Sequence, residues 1–374
     1  MKVLHICNDY SYSKVYKNLY YNLDKQGVEQ VVYHPLRSKN NIGKNQIDFE
    51  NNKSHYIYSK FLLKSYHRIL FRYKINSLYR DILDYENLTS FDVMYPTTLF
   101  SDGALALKLH LKLGIPYIVA VRNTDVNLFL KYRPDLILLA FKILKYAQKI
   151  VFISEGLKRK FFSHLLIKKK IKILSDKTVV ISNGIDDFWL KNIVLKPKFK
   201  PKRLNFIYIG RFDKNKNIIT VINALESLRK AYPEIKLNLV GGGGNRDEEV
   251  LNIISKNLDW IQFHGYVLDK RNLLSILRQN DYFLMPSIFE TFGLVFIEAL
   301  SQGLPILYTK GQGVDGLFTD NVGEGVFPDL ESVTNGILTL IEKPLFDFSE
   351  VNFKCYCWSM IANQYKLLFN SVIK

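Results

Sequence analysis

The sequence predicts an α/β protein with two doubly wound, Rossmann-like domains. Short apolar runs alternate with helical patterns, which is typical of a parallel sheet covered by helices. The alternation restarts after a proline-rich basic segment, and a chain of 374 residues is too long for one ordinary core. These observations together favour two similar α/β domains over a single large one.

The first half contains five predicted strands, with helices expected after most of them. Their sequences are VLHIC, VEQVVYH, FDVMYP, PYIVAV and KIVFIS. We expect them to form one domain over residues 1–195. Residues 196–203, KPKFKPKR, contain little apolar surface and predict a semi-rigid linker between the domains.

The second half repeats this rhythm and predicts a second domain over residues 204–345. Its strands are LNFIYIG, IKLNLVGGGG, WIQFHGYV, DYFLMPS and PILYTKG. Residues 346–374 predict a closing helix whose apolar side chains recur at helical spacing, namely Trp358, Ile361, Tyr365, Leu368 and Val372. Because ligands of such sheets sit outside the carboxyl ends of the strands, we expect a site in a cleft between the two domains.

Composition limits the classes of partner and of site. Lysine and arginine exceed aspartate and glutamate by 52 to 35, a formal charge of +17 that favours anionic partners. The three cysteines lack the spacing of a zinc site or of a disulfide framework. No apolar run approaches the roughly 20 residues of a membrane-spanning helix. We expect a cytoplasmic protein, either soluble or peripheral on the inner face of a membrane.

Two glutamates, Glu290 and Glu298, stand in the apolar run ETFGLVFIEAL. Paired carboxylates would suit a sugar hydrolase, which needs them roughly 5 to 9.5 Å apart. On a helix, eight residues separate the two by about 12 Å and point them in different directions. A hydrolase pair is therefore a poor explanation. The simpler alternative is that Glu290 caps the helix and Glu298 lies on its solvated face.

The start of this helix predicts an anion site. Phe292, Gly293 and Leu294 would open the helix, where backbone N–H groups and the helix dipole favour negative charge. Glu290 before the turn and Glu298 two turns later could then contact different parts of one long ligand. A nucleotide-sugar, with its sugar, diphosphate and ribose, is such a ligand.

Two further segments at strand ends support this hypothesis. Arg211 and Lys216 follow the first strand of the second half, where cations can neutralise a diphosphate leaving group. Gly241 and Gly242 begin a glycine run at the end of the next strand, which would let a ligand pass closely. The alternatives are a solvated basic loop and an ordinary flexible turn.

The quoted segments together resemble a known family. ISNGIDDFW, GRFDKNK, LVGGGGN, FHGYV and MPSIFETFGLVFIEALSQGLPI are similar in order and spacing to retaining GT-B glycosyltransferases of family 4, the glycosyl transferases group 1. The family pattern of a glutamate, seven residues and a second glutamate is present at Glu290 and Glu298. The resemblance implies two Rossmann-like domains facing across a cleft, with the C-terminal helix closing back toward the first.

The resemblance also implies roles for the donor-site residues. Arg211 and Lys216 would hold the donor diphosphate, and Phe292, Gly293 and Leu294 would add backbone amides. Glu290 would face the transferred sugar and, with Arg211 and Lys216, form the catalytic group, whereas Glu298 would hold the ribose.

The remaining donor-site predictions concern three segments. Gly241 and Gly242 would lie beside the donor, and Gly265, Tyr266 and Val267 would border the base. In the first half, IPYIVAVRNTDVN resembles a cleft segment of the family and places Arg122, Asn123 and Asp125 on the acceptor side. Many relatives have a histidine–glycine pair there. A structural Arg122–Asp125 pair is the alternative.

The function implied by the resemblance is glycosyl transfer with retention and without a metal or cofactor. The donor would be a UDP- or GDP-sugar, and the acceptor a saccharide or lipid-linked saccharide in cell-surface polysaccharide or glycolipid assembly. A nucleotide-sugar epimerase or a phosphorylase of the same fold is one alternative. A basic nucleic-acid-binding protein is another, although the sequence contains no specific nucleic-acid-binding motif.

Residues 60–74 predict a basic amphipathic helix. Its apolar arc contains Leu62, Leu63, Tyr66, Ile69, Leu70 and Tyr73, and lysine, histidine and arginine residues fill the other side. Such a helix can lie on an anionic membrane, which would suit a lipid-linked acceptor. An ordinary helix packed on the sheet, with a solvated basic face, is the alternative.

Overall fold

The computed structural model describes residues 1–85, 87–168, 171–194, 198–318 and 320–373. The chain divides into two compact units. The first unit comprises Met1–Ile153, Leu157–Gly184 and Trp358–Lys374, and the second comprises Ser154–Gly156 and Ile185–Cys357.

The first unit contains parallel strands in two groups. One group has the order β3-β2-β1-β4 and the other the order β5-β6-β7, and a bridge between Met94 and Tyr117 connects them. The strands are β1 (Lys2–Ile6), β2 (Glu29–His34), β3 (His55–Tyr58), β4 (Val93–Pro96), β5 (Ile118–Val121), β6 (Lys149–Phe152) and β7 (Thr178–Val180). Most of their residues are buried, because helices cover both faces of such a sheet.

Nine helices lie wholly or mainly in the described part of the first unit. They are α1 (Lys14–Lys25), α2 (Phe71–Leu83), α3 (Ser101–Leu113), α4 (Leu130–Tyr132), α5 (Ile137–Tyr146), α6 (Glu155–Ser163), α7 (Leu165–Lys168), α8 (Ile171–Leu174) and, after the second unit, α15 (Trp358–Asn370). The closing helix predicted over residues 346–374 exists but is shorter, because it begins only at Trp358 and ends at Asn370. Its Trp358, Ile361 and Tyr365 are buried in the core of the first unit.

The second unit is a six-stranded parallel sheet with the order β10-β9-β8-β11-β12-β13. The strands are β8 (Asn205–Gly210), β9 (Lys236–Gly241), β10 (Ile261–Phe263), β11 (Tyr282–Leu284), β12 (Ile306–Thr309) and β13 (Gly323–Val326). The helices are α9 (Asp187–Lys191), α10 (Ile218–Leu228), α11 (Asp247–Lys256), α12 (Lys270–Arg278), α13 (Leu294–Ser301) and α14 (Leu330–Glu342). The strand order reverses between β8 and β11, which is where ligands of doubly wound sheets bind.

All ten predicted strands exist, and three others were not predicted. β3, β7 and β13 are short, and β13, with the sequence GEGV, contains two glycines instead of an apolar run. Among the described residues, no helix is both long enough and apolar enough to span a membrane.

The unit boundary differs from the predicted one. Before it resumes at Trp358, the first unit extends to Gly184 instead of residue 195, and residues 198–203 of the predicted linker belong to the second unit. Residues 195–197 lie outside the described part of the chain. Phe199 pairs with Phe346 in a short antiparallel bridge, with N–H···O distances of 3.0 and 2.7 Å, so this basic segment is anchored. Its proline and lysine content did not reveal this pairing.

The helix predicted over residues 60–74 is wrong in its bounds. The structure has a single 3₁₀ turn at Ser65–Arg68, and α2 begins only at Phe71. The backbone N–H of Leu63 donates to the carbonyl of Leu36 at 2.7 Å, and this tertiary hydrogen bond replaces a helical one. Helical periodicity was therefore present in the sequence, but contacts with the rest of the unit determine the backbone.

The closing helix generates a stability prediction. The Trp358 indole packs directly on Gly184, where an added Cβ would stand 2.7 Å from Cδ2 of the ring. We expect Trp358→Ala to lower the free energy of unfolding by about 3–5 kcal/mol, because it leaves a cavity in the core. Leu367→Ala, on the exposed face of the same helix, should cost less than about 0.5 kcal/mol. Urea denaturation followed by circular dichroism measures both, and equal losses would contradict this account of the helix.

Candidate active site

Two loops of the second unit approach each other at the reversal of strand order. Residues 211–217 follow β8, and residues 285–293 follow β11, the neighbouring strand. Asn215 fastens the first loop to the second. Its side chain accepts from the Phe289 N–H at 3.0 Å and donates to the Phe289 carbonyl at 2.9 Å, while its own carbonyl accepts from Ile288 at 2.8 Å. Asn215 thus joins the two loops through hydrogen bonds with the backbone of the second loop.

The loop after β8 presents both predicted cations. Asp213 caps the 3₁₀ turn Lys214–Lys216 by accepting from the Lys216 N–H at 2.9 Å. Arg211 lies over the glycine turn, with its Nε 3.2 Å from the Gly243 carbonyl and 3.6 Å from an Asp213 carboxylate oxygen. Because 67% of its side chain is exposed, the guanidinium remains accessible to an anion.

Lys216 and Glu290 form the central contact of the site. The Lys216 ammonium donates to Glu290 Oε2 at 2.6 Å, and both side chains are mostly buried. The other carboxylate oxygen, Oε1, accepts from the Thr291 N–H at 2.9 Å. The backbone N–H of Glu290 donates to Gln312 Oε1 at 3.3 Å, and its carbonyl accepts from Gly313 at 3.1 Å. These contacts fix the position of Glu290. They also bring Lys216 and Glu290 together, although the two residues stand in separate segments of the sequence.

The helix begins where the sequence predicts. Gly293 precedes α13 with φ of 78°, and a Cβ there would lie 2.5 Å from the Phe296 ring. Only glycine adopts this conformation without strain in so little space. Phe292 is buried and Leu294 partly buried, so the side chains of this segment pack inward while Leu294 opens the helix.

The glycine run is required by packing alone. Gly241 has φ of 127°, and a Cβ on it would stand 1.9 Å from the Gly210 carbonyl oxygen. Gly242 has φ of 131°, and its carbonyl accepts from the Tyr266 hydroxyl. Gly265, with φ of 62°, accepts at its carbonyl from the Gly241 N–H at 2.8 Å. The segment predicted to border a base thus lies against the glycine turn, and Tyr266 is exposed there.

Glu298 lies in a different environment from Glu290. It stands on α13, partly buried, and the Trp189 indole lies near its side chain. The pKa of Glu298 is raised to about 7, chiefly by burial and next by the Asp186 carboxylate, while Lys270 and Trp189 oppose the rise. Asp186 and Lys270 also form an ion pair with each other.

A depression of about 580 Å³ adjoins the exposed cation. Arg211, Lys214 and Asn215 line one side, and Ile288 and Phe289 line the other. This cavity lies entirely within the second unit, so it contains only part of the predicted donor set. Among the described residues, no group of three histidine, cysteine, aspartate or glutamate side chains is arranged to hold a metal ion.

The predicted acceptor-side residues lie in the first unit, and Asp125 has a structural role there. Its carboxylate is fully buried and accepts from the N–H groups of Leu99, Phe100 and Arg122 at 2.9, 3.2 and 2.8 Å. Asp125 therefore has no exposed carboxylate oxygen for the contact with an acceptor hydroxyl that the sequence predicts. Its link to Arg122 runs through the backbone N–H of Arg122, whereas the alternative prediction had supposed an ion pair.

Arg122 and Asn123 are also engaged by neighbouring groups. The nearly buried Arg122 guanidinium donates from Nε to the Thr97 carbonyl at 3.1 Å and reaches the Tyr95 hydroxyl at 3.5 Å. The Asn123 side chain accepts from that of Asn127. The acceptor-side roles of Arg122 and Asn123 stay predictions.

The sequence reasoning missed the residues around Glu298 and the fastening residue Asn215. Asp186 and Trp189 belong to the quoted segment ISNGIDDFW, where an aspartate before an apolar run is a visible capping signal. Lys270 belongs to a distant helix, and no local pattern connects it with Glu298. Asn215 lies within the segment GRFDKNKNI, but only the structure shows the two hydrogen bonds between its side chain and the backbone of Phe289.

The raised pKa of Glu298 predicts a pH dependence of stability. Its pKa is about 7 in the folded chain against 4.5 in the unfolded chain, so the folded state binds more protons between these values. The free energy of unfolding should therefore fall as pH rises from about 4.5 through 7, by up to about 3 kcal/mol from this group. Glu298→Gln should remove that part of the fall.

The measurement is chemical denaturation of both proteins between about pH 5 and pH 8. Glu331→Gln, on the exposed start of α14, is the control and should follow the wild type. Parallel curves for wild type and Glu298→Gln would show that Glu298 ionises in the folded chain as it does in the unfolded chain.

Comparisons with known proteins agree with this architecture. Residues 191–350 match the family model of the glycosyl transferases group 1. The chain is 29% identical over 169 residues to the glycogen synthase of Mycobacterium tuberculosis (strain CDC 1551 / Oshkosh), a match that covers 44% of this chain and 40% of that protein. The match thus spans about two fifths of the relative's length.

Solved structures of similar fold cover the whole chain. Sucrose-phosphate synthase from Thermosynechococcus elongatus has a TM-score of 0.73 at 16% identity, covering 100% of this chain and 99% of that one. HepE of Anabaena, in complex with UDP and glucose, has a TM-score of 0.58 at 15% identity and covers 100% and 96%. The match to the glycosyl transferases group 1 model thus covers residues 191–350, in a chain whose fold is that of the GT-B glycosyltransferases.

Proposed function

We propose that the chain is a hexosyltransferase that moves a sugar from a nucleoside-diphosphate sugar to a hydroxyl acceptor. The Lys216–Glu290 contact carries this proposal, because it joins a cation and a carboxylate at the strand ends where such sheets bind ligands. The group 1 domain match over residues 191–350 supports it. The glycogen synthase match supports the reaction class, and the UDP and glucose bound by HepE support the kind of donor.

The electrostatics of the second unit suit a departing diphosphate. The exposed fork of Arg211 can donate two hydrogen bonds to phosphate oxygens, and Lys216 supplies a positive charge in a partly buried place. Negative charge develops on the leaving group as the sugar bond breaks, and cations that are already in position lower the cost of that charge. In this proposal they perform the task that a metal ion performs in other transferases.

Glu290 and Glu298 would contact opposite ends of the donor. Glu290 is held by Lys216 and by the backbone of Thr291, which would direct it toward the transferred sugar. Glu298, close to Trp189 and Asp186, would accept from ribose hydroxyls. Phe292, Gly293 and Leu294 would add backbone N–H groups, and Gly265, Tyr266 and Val267 would border the base.

The finer mechanism we propose is transfer with retention and without a metal. A donor phosphate oxygen would help to deprotonate the acceptor hydroxyl on the face from which the diphosphate leaves. We propose a UDP- or GDP-sugar as donor and a saccharide or lipid-linked saccharide as acceptor. Arg122 and Asn123 would stand on the acceptor side.

A role at a membrane surface in polysaccharide or glycolipid assembly is part of this proposal. The segment before α2 is not a helix, but its apolar residues Tyr66, Ile69 and Leu70 are exposed beside basic ones, as is Tyr73 in the first turn of α2. Ile69 is 78% exposed. Apolar and basic side chains together favour the interface of an anionic bilayer.

The donor site predicts nucleotide binding that depends on Arg211. We expect UDP or GDP to raise the melting temperature of the wild type, and Arg211→Ala to weaken its binding about 10- to 100-fold, since a charge-assisted hydrogen bond is lost. Arg203→Ala is the control: Arg203 lies before the opposite end of β8, its side chain is 58% exposed against 67% for Arg211, and the variant should bind like the wild type. A thermal-shift panel with UDP, GDP, ADP and a short DNA duplex at physiological salt measures this. Stabilisation by the duplex alone would instead favour the nucleic-acid alternative.

Glu290 predicts a split between turnover and affinity. Glu290→Gln should lower kcat about 10²- to 10³-fold and change the dissociation constant of the nucleoside diphosphate less than about threefold, because the carboxylate acts on the sugar end. Glu331→Gln is the control. Sugar transfer to an acceptor mixture and calorimetry of the nucleotide measure the two quantities. Equal losses would contradict the assigned role, and scrambling of the donor sugar without an acceptor would favour an epimerase.

A further inference from the structure

A second cavity lies in the first unit, at the carboxyl edge of its sheet, and we name it the Lys74 cavity. Its volume is about 640 Å³. Its walls come from the loops after β1, β2, β4 and β5 and from the segment that leads into α2. Loops at this edge are where doubly wound sheets place ligands, so the cavity is in a position to bind one.

The floor of the cavity holds a buried ammonium group. Lys74 is only 8% exposed, and its Nζ donates to Ser101 Oγ at 2.8 Å. An ammonium has three hydrogens to donate, and a neutral hydroxyl supplies no charge to balance it. The pKa of Lys74 is lowered to about 8, chiefly by burial and against the opposing effect of the Asp102 carboxylate, so the group stays largely protonated at neutral pH.

Carboxylates near the cavity are engaged elsewhere. Asp9 pairs with Arg37 at 3.1 Å, and Asp135 pairs with both nitrogens of the Arg133 fork at 2.8 and 2.7 Å. Lys74 has no carboxylate oxygen within 4 Å in the described part of the chain.

Asp125 and Arg68 are two further charged residues in the walls of the cavity. Asp125 is occupied by backbone N–H groups, as described above. Arg68 lines the cavity and is exposed, and like Lys74 it forms no ion pair with a described residue. The cavity lining therefore presents two cations, the buried Lys74 and the exposed Arg68, to an incoming anion.

The mouth of the cavity is apolar. Ile69, Leu128 and Tyr132 line it and are more than half exposed. Apolar side chains of this size in water suggest a ligand or a surface that covers them. A small inorganic anion would leave them exposed, whereas an anion on an apolar chain would bury them.

A groove of about 620 Å³ lies beside the cavity, between α2, α3 and α5. Phe71 and Asp135 line both spaces, so the two adjoin. The groove is lined with apolar side chains and flanked by basic ones: Ile75, Ala104, Leu107, Leu111, Leu138 and Leu139, and Arg72, Lys108, Lys112 and Lys142. This arrangement suits an apolar chain next to an anionic group.

We infer that the first unit binds an amphiphilic phosphate, with the phosphate between Lys74 and Arg68 and the apolar chain in the α2–α3–α5 groove. The inference rests on the proposed function only in taking this ligand as the acceptor. It then names the acceptor class as a lipid that carries a phosphate group. Free phosphate offers the same chemistry to Lys74 but does not fill the groove, so the test separates the two.

Calorimetry with three probes tests the inference, in the absence of any nucleotide. The probes are dihexanoyl phosphatidic acid below its micelle concentration, dihexanoylglycerol, and inorganic phosphate. We expect the phosphatidic acid to bind at least tenfold more tightly than either of the others. Equal binding by dihexanoylglycerol would overturn the anion site, and equal binding by inorganic phosphate would overturn the lipid chain.

Variants assign the binding to the two spaces. Lys74→Met should weaken the phosphatidic acid about 10- to 100-fold, because a charge-assisted contact is lost. Arg68→Gln, at an exposed position that folding tolerates, should weaken it several-fold. Leu138→Asp, on the groove, should weaken the lipid but not inorganic phosphate. Lys53→Met, exposed and outside both spaces, is the control. Unchanged binding by Lys74→Met, with an unchanged melting temperature, would overturn the inference.

The two proposals fail separately. Arg211→Ala should keep full affinity for phosphatidic acid, and Lys74→Met should keep its stabilisation by UDP or GDP. If the wild type does not bind nucleotide, the donor site is rejected and the lipid result stands. If the wild type does not bind phosphatidic acid, the lipid site is rejected and the nucleotide result stands.

Discussion

The ion pair between Lys216 and Glu290 joins the two loops on which the candidate donor site is built. β8 and β11 lie side by side, but their connections run to opposite sides of the sheet. The loops that follow them therefore leave a space between them at the strand ends. Polar groups on one loop then need partners on the other loop. Lys216 and Glu290 supply a charged partner, and Asn215 adds three hydrogen bonds with the backbone of the other loop. A basic and an acidic group are thus kept partly buried, in position and in contact.

Two glutamates eight residues apart can perform different tasks because α13 places them in different surroundings. Glu290 precedes the helix, and a lysine compensates its charge. Glu298 lies two turns later beside an indole and another carboxylate, where burial raises its pKa. Gly293 between them turns the chain sharply enough for the helix to start directly after the loop. The different places of the two carboxylates, one before α13 and one on it, are what the proposed function uses to hold one long ligand at two points.

Much of the fold could be predicted because buried parallel strands are apolar along their whole length. The start of α13 could also be predicted, since Gly293 precedes an apolar run. β13 could not, because its glycines provide no pattern and its place depends on pairing with β12. The helix over residues 60–74 was predicted from real periodicity, but the hydrogen bond from Leu63 to Leu36 prevents it. Lys270 acts on the charge of Glu298 from 28 positions away in the sequence, and only the folded chain shows this proximity.

The most direct test of the central claim is a crystal structure of the chain with UDP or GDP. The account predicts diphosphate oxygens within hydrogen-bonding distance of Arg211 and Lys216, with the ribose hydroxyls on Glu298. It also predicts that Lys216 is shared between Glu290 and the phosphate. A nucleotide bound away from the loops after β8 and β11, with the Lys216–Glu290 contact unchanged, would contradict it.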